Sequence, residues 1–133
     1  MREAPPPQVV VVTGASAGVG RAVAHSFARR GATVGLVARG RAGLDAAAEE
    51  VRALGGTALV LPADVAEHDE VDAAAQAVER KAGPIDVWVN DAMATVFAPL
   101  AETAPDEFRR ATEVTYLGTV HGTMAALRRM VPR

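Results

Sequence analysis

Glycines at a spacing typical of phosphate-binding turns follow directly on an apolar run. The segment Thr13–Gly20 comes straight after Val9–Val12. Where a buried strand turns sharply into a helix, the free N–H groups and the positive end of the helix dipole face an anion. Gly14 would permit the tight turn, Gly18 would let a pyrophosphate approach the backbone, and Gly20 would let the helix pack on the strand. The pattern predicts a dinucleotide site; the alternative is a glycine-rich turn that binds no ligand.

The remaining side chains offer little for metal or covalent chemistry. The sequence contains no cysteine, which excludes disulfides, thiolate metal ligands and a cysteine nucleophile. The histidines, His25, His68 and His121, share no metal-ligand spacing. The glycine segment is therefore the main functional signal.

Composition and charge limit the kinds of partner. At 133 residues, of which 50% are hydrophobic, the chain is long enough for one domain or part of one. Its net charge is −2, and it has no basic block suited to nucleic acid or to an anionic membrane surface. It shows neither a signal-peptide pattern nor an apolar stretch long enough to span a bilayer. We expect a small-molecule partner and a cytoplasmic location.

Apolar runs alternate with segments of helical periodicity along the chain. Residues 1–8, which include consecutive prolines, are expected to form a flexible tail before a domain of residues 9–133. Uninterrupted apolar runs predict strands that are buried on both faces of a parallel sheet. The predicted strands are Val9–Val12, Thr33–Val37, Thr57–Leu61 and Ile85–Val89.

Helices are predicted between successive strands and after the last one. Apolar residues recur there at helical spacing, and glycines follow each internal helix. The first helix would run from Gly18 to Arg30, with Gly31 placed where it would close the helix. A long final helix would begin near Pro105 and carry Arg128 and Arg129 near its end.

This alternation predicts an α/β fold of the Rossmann type. Short connections between strands and helices favour right-handed crossovers and a doubly wound parallel sheet, with the order 3-2-1-4 expected of a dinucleotide fold. The sheet is expected to stop before a fifth strand, because the chain ends at Arg133. The connections Gly14–Gly20 and Asn90–Met93 would then flank a ligand in the crevice between the first and fourth strands.

The order of these motifs resembles the short-chain dehydrogenase/reductase family. The glycines follow Thr13 as Gly-x3-Gly-x-Gly, and further segments match in order and approximate spacing from Gln8 to Arg133. The resemblance implies an oxidoreductase that transfers hydride between a nicotinamide cofactor and an alcohol or carbonyl substrate. The alternative is a non-catalytic nucleotide-binding module or pseudoenzyme.

The same resemblance implies cofactor contacts at the ends of the second and third strands. NAD-preferring members usually carry an acidic residue where this chain has Ala38, followed by Arg39. Because a guanidinium can bind a 2′-phosphate through charge-assisted hydrogen bonds, NADP is the expected cofactor and NAD the less favoured one. The alternative for Arg39 is a solvated surface charge. Asp64 and Val65 resemble the family's pair beside the adenine ring, although Asp64 could instead be a turn residue or cap the next helix.

Two further segments depart from the family's pattern. Asn90-Asp91-Ala92-Met93 stands in place of Asn-Asn-Ala-Gly, so Asp91 lacks an amide donor and Met93 adds bulk near the cofactor. Thr115 stands at the position of the active-site asparagine, where its hydroxyl could hold a water or merely pack within the helix. The implied cofactor-binding residues are Gly14, Ser16, Ala17, Gly18, Val19, Gly20, Arg39, Asp64, Val65, Asn90, Ala92 and Met93.

The catalytic residues of the family have no counterpart in these residues. The family's chemistry uses a tyrosine, a lysine four residues later, and a serine. Tyr116 is the only tyrosine, Lys81 the only lysine, and residue 120 is Val. We therefore expect the chain to carry the cofactor-binding half of an enzyme and to be inactive alone. Family members also pair their long helices in dimers, which makes residues 106–130 the expected surface of a homo-oligomer.

Overall fold

The first strand shows why the chain folds around a central sheet. In the computed structural model, which describes residues 6–133, β1 spans Val9–Thr13 and all of it is buried. Its β-branched side chains favour extended backbone. Successive side chains alternate between faces, so Val10 and Val12 join one core while Val9 and Val11 join the other. Both faces of the sheet therefore need a layer of helices.

The described chain then alternates helix and strand. Of the expected tail, residues 1–5 lie outside the described residues, and residues 6–8 are exposed and belong to no helix or strand. Beyond β1 the elements are α1 (Gly18–Ala28), β2 (Thr33–Ala38), α2 (Arg41–Ala53), β3 (Thr57–Pro62), α3 (His68–Ala82), β4 (Val87–Asn90), a 3-10 turn (Leu100–Glu102), α4 (Pro105–Thr112), a π-helical segment (Glu113–Leu117) and α5 (Gly118–Met130).

The strands form one parallel sheet in the order β3-β2-β1-β4. This order confirms the predicted fold class and makes β1 and β4 neighbours at the point where the strand order reverses. β4 pairs with β1 and forms an edge of the sheet, as expected from the order of the strands. Its residues are only half-buried, and α5 packs against it.

Each face of the sheet has its own core. On one face, Leu36 of β2 packs with Leu44 and Val51 of α2, and all three side chains are fully buried. On the other face, Val71 and Val78 of α3 are buried against the sheet. Full burial of an aliphatic side chain of this size contributes about 1.5–3 kcal/mol. These two layers hold the carboxyl ends of the strands at one edge of the fold.

The fourth strand begins later than predicted. The sequence indicated Ile85–Val89, whereas β4 spans Val87–Asn90. Asp86 explains the difference, because its carboxylate accepts the N–H of Val9 at 2.8 Å and its own N–H donates to the carbonyl of Val9 at 2.8 Å. The side chain of Asp86 thus replaces one backbone partner, and the regular ladder starts one residue further on.

The sequence predicted one long final helix, but the structure divides this region into α4, a π segment and α5. Glu113–Leu117 forms a π-helical turn between α4 and α5. Within it, the Thr115 hydroxyl donates to the carbonyl of Ala94 and accepts its N–H, each at 3.0 Å. The hydroxyls of Thr112 and Thr119 bond to carbonyls one turn back. Threonines that bond to backbone in this way compete with regular helix, and π turns often lie at functional sites.

The ends and lengths of the helices complete the outline. α1 ends at Ala28 rather than at Arg30, and Gly31 follows with a φ of 76° in the left-handed region that suits a helix end. Within residues 6–133, the helices are too short or too polar for any of them to cross a membrane.

Candidate functional site

The glycine segment forms a tight turn from β1 into α1. Gly14 and Gly18 have φ values of 69° and 55°, in the left-handed region that other residues rarely adopt. The N-cap of α1 is Ala17, which supplies no side-chain bond, and the first turn of the helix has no acidic residue. The backbone N–H groups of that turn are therefore available to an anion.

Close backbone packing holds this turn against the loop after β4. A Cβ on Gly14 would lie 2.8 Å from the nitrogen of Ala92, and a Cβ on Gly20 would overlap the carbonyl oxygen of Gly14. The buried Thr13 hydroxyl accepts the N–H groups of Asp91 and Ala92 at 3.1 and 3.3 Å. The two loops that were predicted to flank a ligand are thus in contact with one another.

A cavity of about 260 Å³ lies beside these loops. Its wall comes from the connections that follow all four strands, together with the long helix. The carboxyl ends of parallel strands in an open α/β sheet are the usual place for a ligand. The lining residues are Gly14, Ser16, Ala38, Arg39, Gly40, Ala63, Asp64, Val65, Ala92, Met93, Ala94, Arg110 and Val114.

Asp64 is the carboxylate of this lining. Its Oδ2 lies 2.9 Å from Nη1 of Arg110, and its Oδ1 accepts the N–H of Ala66 at 3.0 Å. Burial raises the pKa of Asp64, but the bonds from Arg110 and Ala66 and the charges of Arg110 and Arg39 outweigh burial and lower this pKa overall. Asp64 is therefore an ionised acceptor at neutral pH. It does not cap the next helix, because the N-cap of α3 is Glu67.

Positive charge prevails around the cavity. Arg39 is exposed at the end of β2, and Ala38 before it also lines the wall. Among the lining residues, Arg39 and Arg110 carry positive charge and Asp64 alone carries negative charge. This balance favours an anionic ligand. The part of the chain that the structure describes holds no group of three His, Cys, Asp or Glu side chains placed to bind a metal ion.

Comparison with known proteins identifies the family. The model of the short chain dehydrogenase family matches residues 8–133. The chain belongs to this family. It is 38% identical over 120 residues to an uncharacterized oxidoreductase of Methylorubrum extorquens, an alignment that covers 90% of this chain and 48% of that protein. It is 36% identical over 129 residues to 3beta-hydroxysteroid dehydrogenase 1 of Eggerthella lenta, covering 95% of this chain and 49% of that protein.

Solved structures of the family share the fold. A 3-ketoacyl-ACP reductase from Sinorhizobium meliloti superimposes with a TM-score of 0.86 at 32% identity, over 94% of this chain and 49% of that one. An NAD⁺-bound xylitol dehydrogenase superimposes with a TM-score of 0.89 at 31% identity, over 94% of this chain and 48% of that one. The chain thus spans about half the length of these relatives.

The cofactor residues implied by the family resemblance divide into those outside the cavity lining and those within it. Ala17, Gly18 and Val19 are exposed at the start of α1, while Gly20 is buried beneath the turn and Asn90 lies in β4. The others line the cavity: Gly14, Ser16, Arg39, Asp64, Val65, Ala92 and Met93. The geometry brings these groups to one edge of the sheet, and their contacts with a cofactor stay predictions.

The side chain of Asn90 is directed at α5. Its Oδ1 accepts the indole N–H of Trp88 at 2.9 Å, and its Nδ2 donates to the hydroxyl of Thr123 at 3.2 Å. Gly122 makes this approach possible, because a Cβ there would overlap Oδ1 of Asn90. The amide therefore holds α5 against the edge strand, which is a supporting role for the sheet.

The two residues that depart from the family's pattern take different places. Oδ2 of Asp91 lies 2.9 Å from the position of a Cβ on Gly20, beside the first turn of α1. Negative charge is favourable near a helix N-terminus. Met93 is 66% exposed and lies at the edge of the cavity, so its added bulk is largely in solvent.

The Thr115 hydroxyl is occupied by the backbone of Ala94, through the reciprocal bonds described above. It anchors the loop after β4 to the π segment. A hydroxyl has one donor and two acceptor sites, so Thr115 keeps one site to which a water can donate, and its role in holding a water stays a prediction. Tyr116, next to it, is 66% exposed. Lys81 is exposed on α3, a different element.

Sequence reasoning missed the contribution of the long helix to the cavity. Arg110 and Val114 line it, and Gly118 packs so closely on Val65 that a Cβ there would lie 2.6 Å from Cγ2 of Val65. These positions recur every four residues, which is the spacing of one helix face. The spacing alone could not place Arg110 beside the cavity, because the π turn at Glu113–Leu117 sets the phase of α4 relative to α5.

Proposed function

We propose that these residues form the NADP-binding part of an oxidoreductase that transfers hydride between the nicotinamide cofactor and an alcohol or carbonyl substrate. Arg39 carries this proposal. It stands at the rim of the cavity, directly after the position where NAD-preferring members of the family have an acidic residue. A carboxylate there would repel a 2′-phosphate, whereas a guanidinium donates charge-assisted hydrogen bonds to it.

The turn after β1 and the other lining residues also fit a dinucleotide. Gly14 and Gly18 supply the left-handed backbone of the turn, and the uncapped start of α1 offers N–H groups to a pyrophosphate. The Asp64 carboxylate would accept the exocyclic amine of adenine, with Val65 beside it. The nicotinamide would supply the hydride chemistry, and the protein would supply binding and orientation.

We also propose that residues 1–133 are catalytically inactive on their own. Acid–base catalysis in this family needs a tyrosine and a lysine four residues apart on one helix face. The only tyrosine, Tyr116, is followed four residues later by Val120, and the only lysine lies on α3. The hydroxyl of Thr115 already bonds to Ala94.

Partner and location follow as proposals from the same features. The cavity fits a small-molecule substrate. With a net charge of −2 we expect neither nucleic acid nor membrane as a partner, and we expect a cytoplasmic location. The long helix over residues 106–130 exposes apolar side chains, which supports its use in a homo-oligomer. Among them are Phe108, Met124 and Leu127.

Calorimetric titration of the purified protein with NADP and with NAD tests the proposal. NADP should bind more tightly, by roughly tenfold to a hundredfold if Arg39 holds the extra phosphate. Equal affinities would refute the assignment of Arg39, and binding of neither would refute the cofactor site. Hydride transfer by the protein that contains these residues would exclude a non-catalytic nucleotide-binding module.

A further inference from the structure

Arg110 and Asp64 connect α4 to the turn after β3. The Nη1 atom of Arg110 lies 2.9 Å from Oδ2 of Asp64, and both side chains are partly buried, at 34% and 23% exposed. Both residues line the cavity. The pair therefore forms part of the wall against which a bound ligand would lie.

The carboxylate of Asp64 is held at both oxygens. Arg110 binds Oδ2, and the N–H of Ala66 donates to Oδ1 at 3.0 Å. An ionised carboxylate can accept about four hydrogen bonds, so accepting sites remain after these two. The two donors fix the plane of the carboxylate and leave it able to accept one more N–H from the cavity.

The guanidinium of Arg110 is only half used. Its Nη2 atom is buried without a hydrogen-bond partner among the described residues. Arginine–carboxylate pairs are frequently bidentate, with two parallel N–H···O bonds. An unsatisfied buried donor lowers the stability that an ion pair contributes. A pair with this geometry is poorly suited to holding α4 in place, which favours a role at the cavity.

We propose that Arg110 is a positioning residue for the adenine end of the cofactor, holding the Asp64 carboxylate so that it accepts the exocyclic amine. The proposal rests on the proposed function, because it places a dinucleotide in this cavity. It assigns to α4 a part in recognising the base. Arg110 acts through Asp64 and does not itself touch the amine.

The matched comparison is Arg110→Gln against Arg109→Gln. Both changes remove one positive charge from adjacent residues of α4, but only Arg110 lines the cavity and pairs with Asp64. Each variant is titrated with NADP and with 1,N6-etheno-NADP, in which the exocyclic nitrogen is part of a ring and has no N–H to donate. The wild-type protein should prefer NADP by about tenfold, the value of one hydrogen bond to a charged group.

Arg110→Gln should reduce this preference to less than about threefold, while Arg109→Gln keeps it. In an Asp64→Asn background, Arg110→Gln should have no further effect on the preference, as expected of two residues that act as one unit. As the pH is lowered, the NADP affinity of Arg110→Gln should begin to fall at a higher pH than the NADP affinity of the wild type. Without Arg110 the pKa of Asp64 rises, so the carboxylate is protonated sooner as the pH falls.

An unchanged preference in Arg110→Gln, or an equal loss in Arg109→Gln, would overturn the proposal. If Arg110→Gln does not fold, Arg110→Lys, which keeps the charge but not the planar fork, takes its place and should show a weakened preference. A wild-type protein that binds neither nucleotide refutes the proposed function as well. A wild-type protein that binds NADP, with no change on loss of Arg110, refutes only the role of Arg110.

Discussion

Arg21 of α1 forms a bidentate ion pair with Glu50 of α2. Nε lies 2.7 Å from Oε2 and Nη2 lies 2.5 Å from Oε1, while the remaining arm donates to the carbonyl of Ser16 at 3.1 Å. His25 adds a contact of 2.6 Å from Nε2 to Oε2 of Glu50. Because Ser16 belongs to the glycine turn, this network ties α2 to the turn that is proposed to bind the pyrophosphate.

Replacing Glu50 by Gln should loosen the turn and weaken cofactor binding. Without the carboxylate, Arg21 loses its two-armed partner and holds the carbonyl of Ser16 less firmly. We expect NADP affinity to fall by roughly twofold to fivefold, since the pair is near the surface. Calorimetric titration measures this, with Glu49→Gln on the exposed side of α2 as the control. A loss of equal size in Glu49→Gln would contradict a specific link through Arg21.

The same carboxylate should make stability depend on pH in acid. The hydrogen bonds from Arg21 and then His25 lower the pKa of Glu50 from 4.5 to about 2. Because the folded pKa lies below the unfolded one, the stabilisation is complete above pH 4.5 and is lost as the pH falls towards about 2. Urea midpoints measured through this range should fall less steeply in Glu50→Gln than in the wild type. Parallel curves for the two proteins would contradict the lowered pKa.

Gly20→Ala should disturb the glycine turn, because the new methyl group would overlap the carbonyl oxygen of Gly14. We expect a loss of about 1–3 kcal/mol in the free energy of unfolding, as for other overpacked sites, together with weaker cofactor binding. Gly40→Ala is the control for stability, since no atom beyond its chain neighbours lies within 4 Å of its added Cβ. Its unfolding free energy should change by less than about 0.5 kcal/mol. Equal stability of the two variants would show that the turn can adapt.

Arg39→Asp should reverse the cofactor preference. The change removes a donor to the 2′-phosphate and adds a charge that repels it, so NADP affinity should fall by about tenfold to a hundredfold while NAD affinity is retained or improved. Arg52→Asp, an exposed residue near the far end of α2, makes the same change of charge away from the cavity and should leave the preference intact. If the ratio of NADP to NAD affinity is unaltered in Arg39→Asp, Arg39 is a solvated surface charge that does not contact the cofactor.

Residues 1–133 alone should not transfer hydride to or from a carbonyl substrate. Positioned acid–base catalysis contributes about 10²–10⁴-fold, and the tyrosine and lysine pair that provides it has no counterpart here. The absorbance of NADPH, followed with a panel of carbonyl compounds, checks this expectation. Oxidation of NADPH by material of the matching mass, abolished by Thr115→Ala or Tyr116→Phe, would reveal a different catalytic route.

The sequence predicted the features that depend on local patterns. Valine runs such as Val9–Val12 and the glycines at 14, 18 and 20 leave few arrangements of strand, turn and helix, and right-handed crossovers then determine the strand order. The start of β4 was misjudged because the side chain of Asp86 takes a backbone partner from Val9. Apolar periodicity carries no information about such a substitution.

Contacts between distant segments could not be predicted from these patterns. The pairing of Arg110 with Asp64 depends on where α4 is placed over the cavity, and the orientation of Asn90 depends on the room that Gly122 leaves. The π segment follows from the bonds between Thr115 and the backbone of Ala94, which lies in a separate loop. Each of these features is set by tertiary contacts.

The π turn at Glu113–Leu117 puts α4 and α5 out of phase, because it accommodates one more residue than a regular turn. Deleting a single exposed residue, such as Tyr116, would restore the regular repeat and rotate α4 by about 100° relative to α5. Arg110 would then leave the side of Asp64, while Gly122 kept its contact with the edge strand. The number of residues in this helix, as much as their identity, therefore decides which face α4 presents to the cavity.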